Sequence, residues 1–172
     1  MDKDKKTVSA DSALKFLVNI MDKSTSFTQH IDNQINILLG ISTAIFVFST
    51  SRIEGENSVV FFVLGLFSAV SALIGLSAIH PPKSMRKHGQ RESIIYNKKI
   101  NSYPSPVEYK QRLLETVDDF DKMAEQYSIE IYNMYNFYYK PKRALYKVSR
   151  SILFAGIITS VLLFIIFALI WY

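Results

Sequence analysis

The residues of this chain that could carry chemistry are few and scattered. Asp118, Asp119, Asp121 and Glu125 form the densest group of carboxylates. They could be drawn as a metal site, but they fall on the outward side of an apolar seam and are more simply a solvated helix face. His30, His80 and His88 lie well apart and cysteine is absent, which excludes disulfides and thiolate metal centres, so no metal site is expected. No GxSxG, HExxH, Walker-type GxxxxGK[ST], GxGxxG or CxxC pattern occurs, and neither an enzymatic activity nor a cofactor is expected. Two groups remain. Asp32 and Asn36 are i, i+4 neighbours at the polar head of an apolar stretch. Unpaired in lipid they would be costly, so they either mark the headgroup level or line a gating path within a helix bundle. Arg86, Arg91, Lys98 and Lys99 belong to a basic stretch that suits anionic lipid or a phosphate-bearing ligand. Tyr127 opens a run dense in aromatics (Tyr132, Tyr135, Phe137, Tyr138, Tyr139) that could stack a base or fill an interface.

The elements that must position these groups are set by hydropathy. Residues 58–79 and 151–172 each run without a charged side chain, and a helix needs about 20 such residues to cross the hydrocarbon core. A shorter stretch, 34–50, begins with polar residues. The expected fold is an all-α membrane protein with three transmembrane helices at about 34–50, 58–79 and 151–172. Outside them an N-terminal amphipathic helix occupies the arm 1–33, with Leu14, Leu17, Val18, Met21 and Ile31 near one face, and can run unbroken into the first crossing. The chain then divides into the arm (1–33), a transmembrane hairpin (34–80), a helical region (81–150) and the third crossing (151–172).

Lys and Arg outnumber Asp and Glu fourteen to eight over residues 80–150, while the 51–57 turn holds Arg52 against Glu54 and Glu56. By the positive-inside rule the N-terminus and residues 80–150 are expected in the cytoplasm and the C-terminus in the periplasm. The opening residues MDKDKKTVSADS lack an apolar core and are expected to be neither a signal peptide nor a lipid-anchor site. Gly65, Ala69, Ala72 and Gly75 in the second crossing are candidate packing residues, because small side chains let helices approach closely in lipid. They serve packing within one subunit or a seam between subunits. Pro81 and Pro82 end that crossing.

Ser105-Pro106-Val107-Glu108 is a helix start, with Ser as cap and Pro at the first helical position. Leu113, Val117, Phe120, Ala124, Tyr127, Ile131, Met134 and Tyr138 then recur at spacings of four and three, which predicts one helix over 106–139, about 50 Å long. Pro141 allows a kink before the third crossing.

The layout resembles the transmembrane effectors of Pycsar antiphage systems. The resemblance rests on the Asp-led first crossing (HIDNQINILLGISTAIFVF), Ile79-His80-Pro81, the stretches SPVEYKQRLLE and EQYSIEIYNMYNFYYKPKRAL, and positions such as Asp32, Tyr109, Gln126 and Tyr139-Lys140. It implies a homo-oligomer in the bacterial inner membrane, in contact with the lipid bilayer and not with nucleic acid. The functional partner it implies is a nucleotide cyclase, whose diffusible product, cyclic CMP or cyclic UMP, triggers loss of membrane integrity and abortive infection. Arg86, Arg91, Lys98 and Lys99 are the candidates for phosphate contact, and Tyr127 for the base. Two other readings stand beside this one: a constitutive, holin-like pore, and a membrane scaffold that captures a partner through its heptad helix.

Overall fold

The computed structural model describes residues 2–55, 58–85 and 91–170. Among the described residues six α-helices follow one another: α1 (Asp2–Thr50), α2 (Ser58–Ile79), α3 (Asn97–Ile100), α4 (Pro106–Val117), α5 (Phe120–Asn133) and α6 (Lys140–Ile170). A π-helical segment, Met134–Tyr139, joins α5 to α6. No strand occurs among the described residues. Among the described residues three helical runs are long and apolar enough to cross a membrane, Asp11–Thr50, Ser58–Ile79 and Phe120–Ile170, and the three predicted crossings fall on them. In hydrocarbon every backbone N–H and C=O needs an internal partner, and the helix is the open-ended structure that supplies them all.

Contacts divide the chain into two compact units, one made of Met1–Gln29 with Arg86–Tyr139, the other of His30–Met85 with Lys140–Tyr172. The second unit is the membrane bundle. Its buried positions repeat as in a coiled coil: Ile31, Ile35, Leu38, Ser42 and Ser49 on α1, and Ser149, Leu153, Gly156 and Ser160 on α6. On α2 they are Val60, Gly65, Ser68, Ser71, Gly75 and Ala78. Spacings of four and three keep one stripe of each helix facing its neighbours. The opposite faces carry Ile37, Phe62, Leu73, Phe154 and Leu169, all exposed and apolar, as a lipid-facing surface requires.

Chain ends of the helices are closed locally. Thr50 Oγ1 and Ser51 Oγ donate to Val47 O and Phe48 O at 2.9 and 2.8 Å, adding side-chain partners to carbonyls in the last turn of α1. Ser105 caps α4 by accepting the Glu108 N–H at 3.3 Å, with Pro106 at the first helical position.

The extramembrane stretch differs from the single helix expected over 106–139. It breaks at Asp118–Asp119. The Asp119 backbone is extended, and its carboxylate accepts the N–H groups of Asp121 and Lys122 at 3.0 and 3.3 Å. Those side-chain bonds replace the i−4 ladder and start α5 afresh. The apolar spacing continues across the break, and most of the seam is half-buried, although Val117 is exposed. At Pro141 the chain stays helical. Proline offers no N–H to the Phe137 carbonyl and its ring crowds that oxygen; the wider π turn of Met134–Tyr139 lies just there and accommodates the misfit.

Glycines set the closeness of the bundle. A Cβ on Gly156 would lie 2.3 Å from Phe67 Cβ, whereas one on Gly40 would meet nothing within 4 Å. Gly156→Ala should therefore destabilise the bundle by about 1–3 kcal/mol, and Gly40→Ala should be near neutral, as read by reversible unfolding in mixed detergent micelles. At Asp119 the hydrogen bonds from Lys122 hold the carboxyl below its ordinary value. A carboxyl with a lowered folded pKa stabilises above its unfolded pKa and loses that contribution as pH falls through the folded value. Amide protection at the first turn of α5, corrected for the intrinsic pH dependence of exchange, should thus fall under acid conditions, and Asp119→Ala should show the low protection already at neutral pH.

Candidate functional site

In the membrane bundle α2 lies against both other spans, and the contacts are polar as well as close. Ser42, Ser71 and Ser149 form one layer. Ser149 Oγ donates to Ser71 O at 2.7 Å and Ser71 Oγ donates to Ser149 O at 2.9 Å, a reciprocal exchange between α2 and α6. Ser42 Oγ, 3.1 Å from Ser71 Oγ, can then donate to it from α1, so each hydroxyl proton has one destination. Gly75 makes room for this layer: a Cβ there would lie 2.9 Å from Leu39 Cδ2 and 3.4 Å from Ser149 Oγ. Interhelical hydrogen bonds of this kind contribute about 0.6 kcal/mol each in lipid, with better ones near 2. Their value is geometric, since they fix the rotation of each helix.

Two turns or so from that layer, toward the start of α6, the bundle holds an ion pair. Lys142 Nζ lies 2.6 Å from Asp32 Oδ1. The Lys142 side chain is 13% exposed and that of Asp32 40%. Asp32 supplies the charge that lets an ammonium sit so deep, and Lys142 supplies the partner that the acidic head of the first crossing lacked in sequence. Asn36, one turn further along α1, is exposed. Gly65 and Gly75 are buried, and Ala69 and Ala72 are half-buried beside them. Ser68, Ser71 and Ala78 complete the buried stripe of α2, and a count of small residues alone does not single them out.

In the extramembrane unit the candidate ligand residues are occupied by carboxylates. Arg91 Nη1 is 2.9 Å from Glu125 Oε1, and Lys98 Nζ is 3.6 Å from Glu92 Oε1. Lys99 is exposed and Tyr127 half-buried. Arg86 lies outside the described residues. A polar stripe on α5, Gln126, Glu130 and Asn133, grips the segment that carries Arg91. Gln126 Oε1 accepts the Ile94 N–H at 2.9 Å, Glu130 accepts the Ser93 hydroxyl, and Asn133 Nδ2 donates to Arg91 O at 3.3 Å. Ser93 and Ile94 are buried by these bonds. The apolar heptad drew attention to the neighbouring face; the i, i+4, i+7 spacing of 126, 130 and 133 was the available signal for this one. The aromatic run packs internally, Tyr139 lying 6.1 Å from Phe27 and 5.5 Å from Tyr135, ring centre to ring centre.

An all-helical bundle of candidate spans pinned by a charge pair and a serine layer, together with a second helical unit, defines an all-α membrane protein. The family model described as the Pycsar effector protein domain matches residues 16–171, and the chain belongs to that family. It is accordingly a transmembrane effector of antiphage defence. No curated protein and no solved structure matches it.

Asp32→Ala and Lys142→Ala should each destabilise the bundle. The double variant should lose less than the sum, with a coupling energy of about 1–3 kcal/mol, measured as a double-mutant cycle in detergent unfolding.

Proposed function

We propose that this chain impairs the membrane in response to a cyclic pyrimidine mononucleotide, cyclic CMP or cyclic UMP, made by a partner cyclase, and so ends infection at the cost of the cell. The family supports the class of function. What carries the response to a ligand is the continuity of the helices: α1 contributes residues to both units, and the third crossing is the far end of a helical run that starts at Phe120. A continuous helix transmits a rotation or a shift along its length, because its hydrogen-bond ladder resists local twisting.

The anionic phosphodiester of such a ligand would compete with Glu125 for Arg91 and with Glu92 for Lys98, with Lys99 and Arg86 adding charge and Tyr127 meeting the base. Exchanging a carboxylate for a ligand gives the two states different affinities, which is the requirement for a ligand to shift a population. Excess Lys and Arg over residues 80–150 supports placing this unit in the cytoplasm and the spans in the inner membrane.

Purified protein in liposomes should release a trapped small dye on addition of cyclic CMP or cyclic UMP and not of cyclic AMP. Release without any nucleotide would instead identify a constitutive pore, and intact vesicles across the whole panel would sink the reading. Arg91→Ala should raise the nucleotide concentration needed for release.

A further inference from the structure

Two buried side-chain polar atoms have no hydrogen-bond partner among the described residues, Ser49 Oγ and Ser68 Oγ. Both residues are fully buried in the bundle. A serine in a helix has an easy remedy, a bond to the carbonyl four residues back, and this chain uses it repeatedly: Thr25 to Met21 O, Thr28 to Ser24 O, Ser77 to Leu73 O and Ser128 to Ala124 O, all at 2.8–3.1 Å. Ser49 and Ser68 do not take it. An unpartnered hydroxyl surrounded by hydrocarbon is costly, so the two need a further partner.

Their surroundings show where one fits. Ser49 Cβ faces Gly65, and a Cβ built on Gly65 would meet that single atom, at 3.3 Å, and nothing else within 4 Å. At Gly156 and Gly75 the nearest atoms to such a Cβ lie closer still, at 2.3 and 2.9 Å. Of these three glycines Gly65 is the least crowded, with Ser49 as its close neighbour across the seam. Ser68 lies three residues along the same face of α2, about 4.5 Å further along the axis. Two orphan hydroxyls thus lie within about one turn of each other along the α1–α2 seam, and the smallest partner that can both donate to and accept from them is water.

We propose that Ser49, Gly65 and Ser68 form an internal water site in the membrane bundle. It lies between the Ser42–Ser71–Ser149 layer and the Ser160 hydroxyl, which donates to Val60 O at 3.4 Å. With the Asp32–Lys142 pair beyond the serine layer, polar groups then occur at intervals along the whole interior of one bundle. Resting on the membrane-impairing reading above, this site is the place where a water-filled path through the spans begins to open. The path is lined by hydroxyls and, once open, suits water and small polar solutes.

The water site is tested without any activity, by solid-state NMR of serine-labelled protein in liposomes. Magnetisation transfer from water to the Ser49 and Ser68 Cβ should build up several-fold faster than to Ser42 and Ser149, whose hydroxyls have protein partners. Gly65→Ala should remove that difference and Gly40→Ala should preserve it. Equal build-up at all four serines in the unsubstituted protein, or chemical shifts showing both hydroxyls bonded to the carbonyls four residues back, overturns the site. The path is tested separately, using the absence of natural cysteine. In vesicles releasing dye after nucleotide is added, a small methanethiosulfonate cation should modify Ser49→Cys and Ser68→Cys, slow the release, and spare the lipid-facing Phe62→Cys. Continued release with Ser49→Cys and Ser68→Cys unmodified overturns the path. Failure of any vesicle to release dye overturns the proposed function, and the NMR result still decides the water site.

Discussion

Lipid removes the force that holds most helices together, and everything in this bundle follows from that loss. Between hydrocarbon and a leucine face there is no hydrophobic gain from burying one helix on another, so association depends on close approach and on pairing what polar groups there are. The reciprocal bond between Ser71 and Ser149 meets both needs. It requires the backbones of α2 and α6 to come near enough for each hydroxyl to reach the opposite carbonyl, and Gly75 and Gly156 are the positions at which a side chain would prevent that approach. Ser42 extends the same layer to α1. Three helices are fixed in rotation by a few short side chains.

The Asp32–Lys142 pair follows a different logic. A charge pair in a partly dry setting gives little net stability compared with apolar packing, but it is intolerant of the wrong register, because either partner alone is left with an uncompensated charge. Placed beside the proline and the π turn, it fixes the register of the third span against the first at the point where that span begins. Outside the spans the same principle recurs in a milder form. Gln126, Glu130 and Asn133 hold a segment with little regular structure by satisfying its backbone and hydroxyl groups one by one, which keeps Arg91 beside Glu125. Both polar sets are specific in geometry and modest in strength.

Much of this was legible in the residues. The charge-free stretches fixed the spans, Pro81-Pro82 marked the end of one, and Ser105-Pro106 marked the start of α4, since each signal acts through the backbone within a turn or two. Asp32 drew notice for the same kind of reason, being a carboxylate at the edge of an apolar stretch. The break at Asp119 was not legible from periodicity, because apolar spacing reports which face is covered and continues unchanged whether or not the backbone ladder does. The carboxylate that interrupts the ladder was visible, but four acidic residues close together gave no ground for choosing that one.

By itself, then, the sequence determined the solvent, the number of spans and the scarcity of ionisable groups within them, all of which follow from composition along a local stretch. Only the tertiary structure decided that Lys142 answers Asp32 across 110 residues, that Ser71 and not Ala72 faces the serine layer, and that Ser49 and Ser68 are left without partners. The physical reason is that a helix repeats every 3.6 residues. Neighbours in sequence face different surroundings, and the rotation that assigns each one its surroundings is set by contacts with helices far away in the chain.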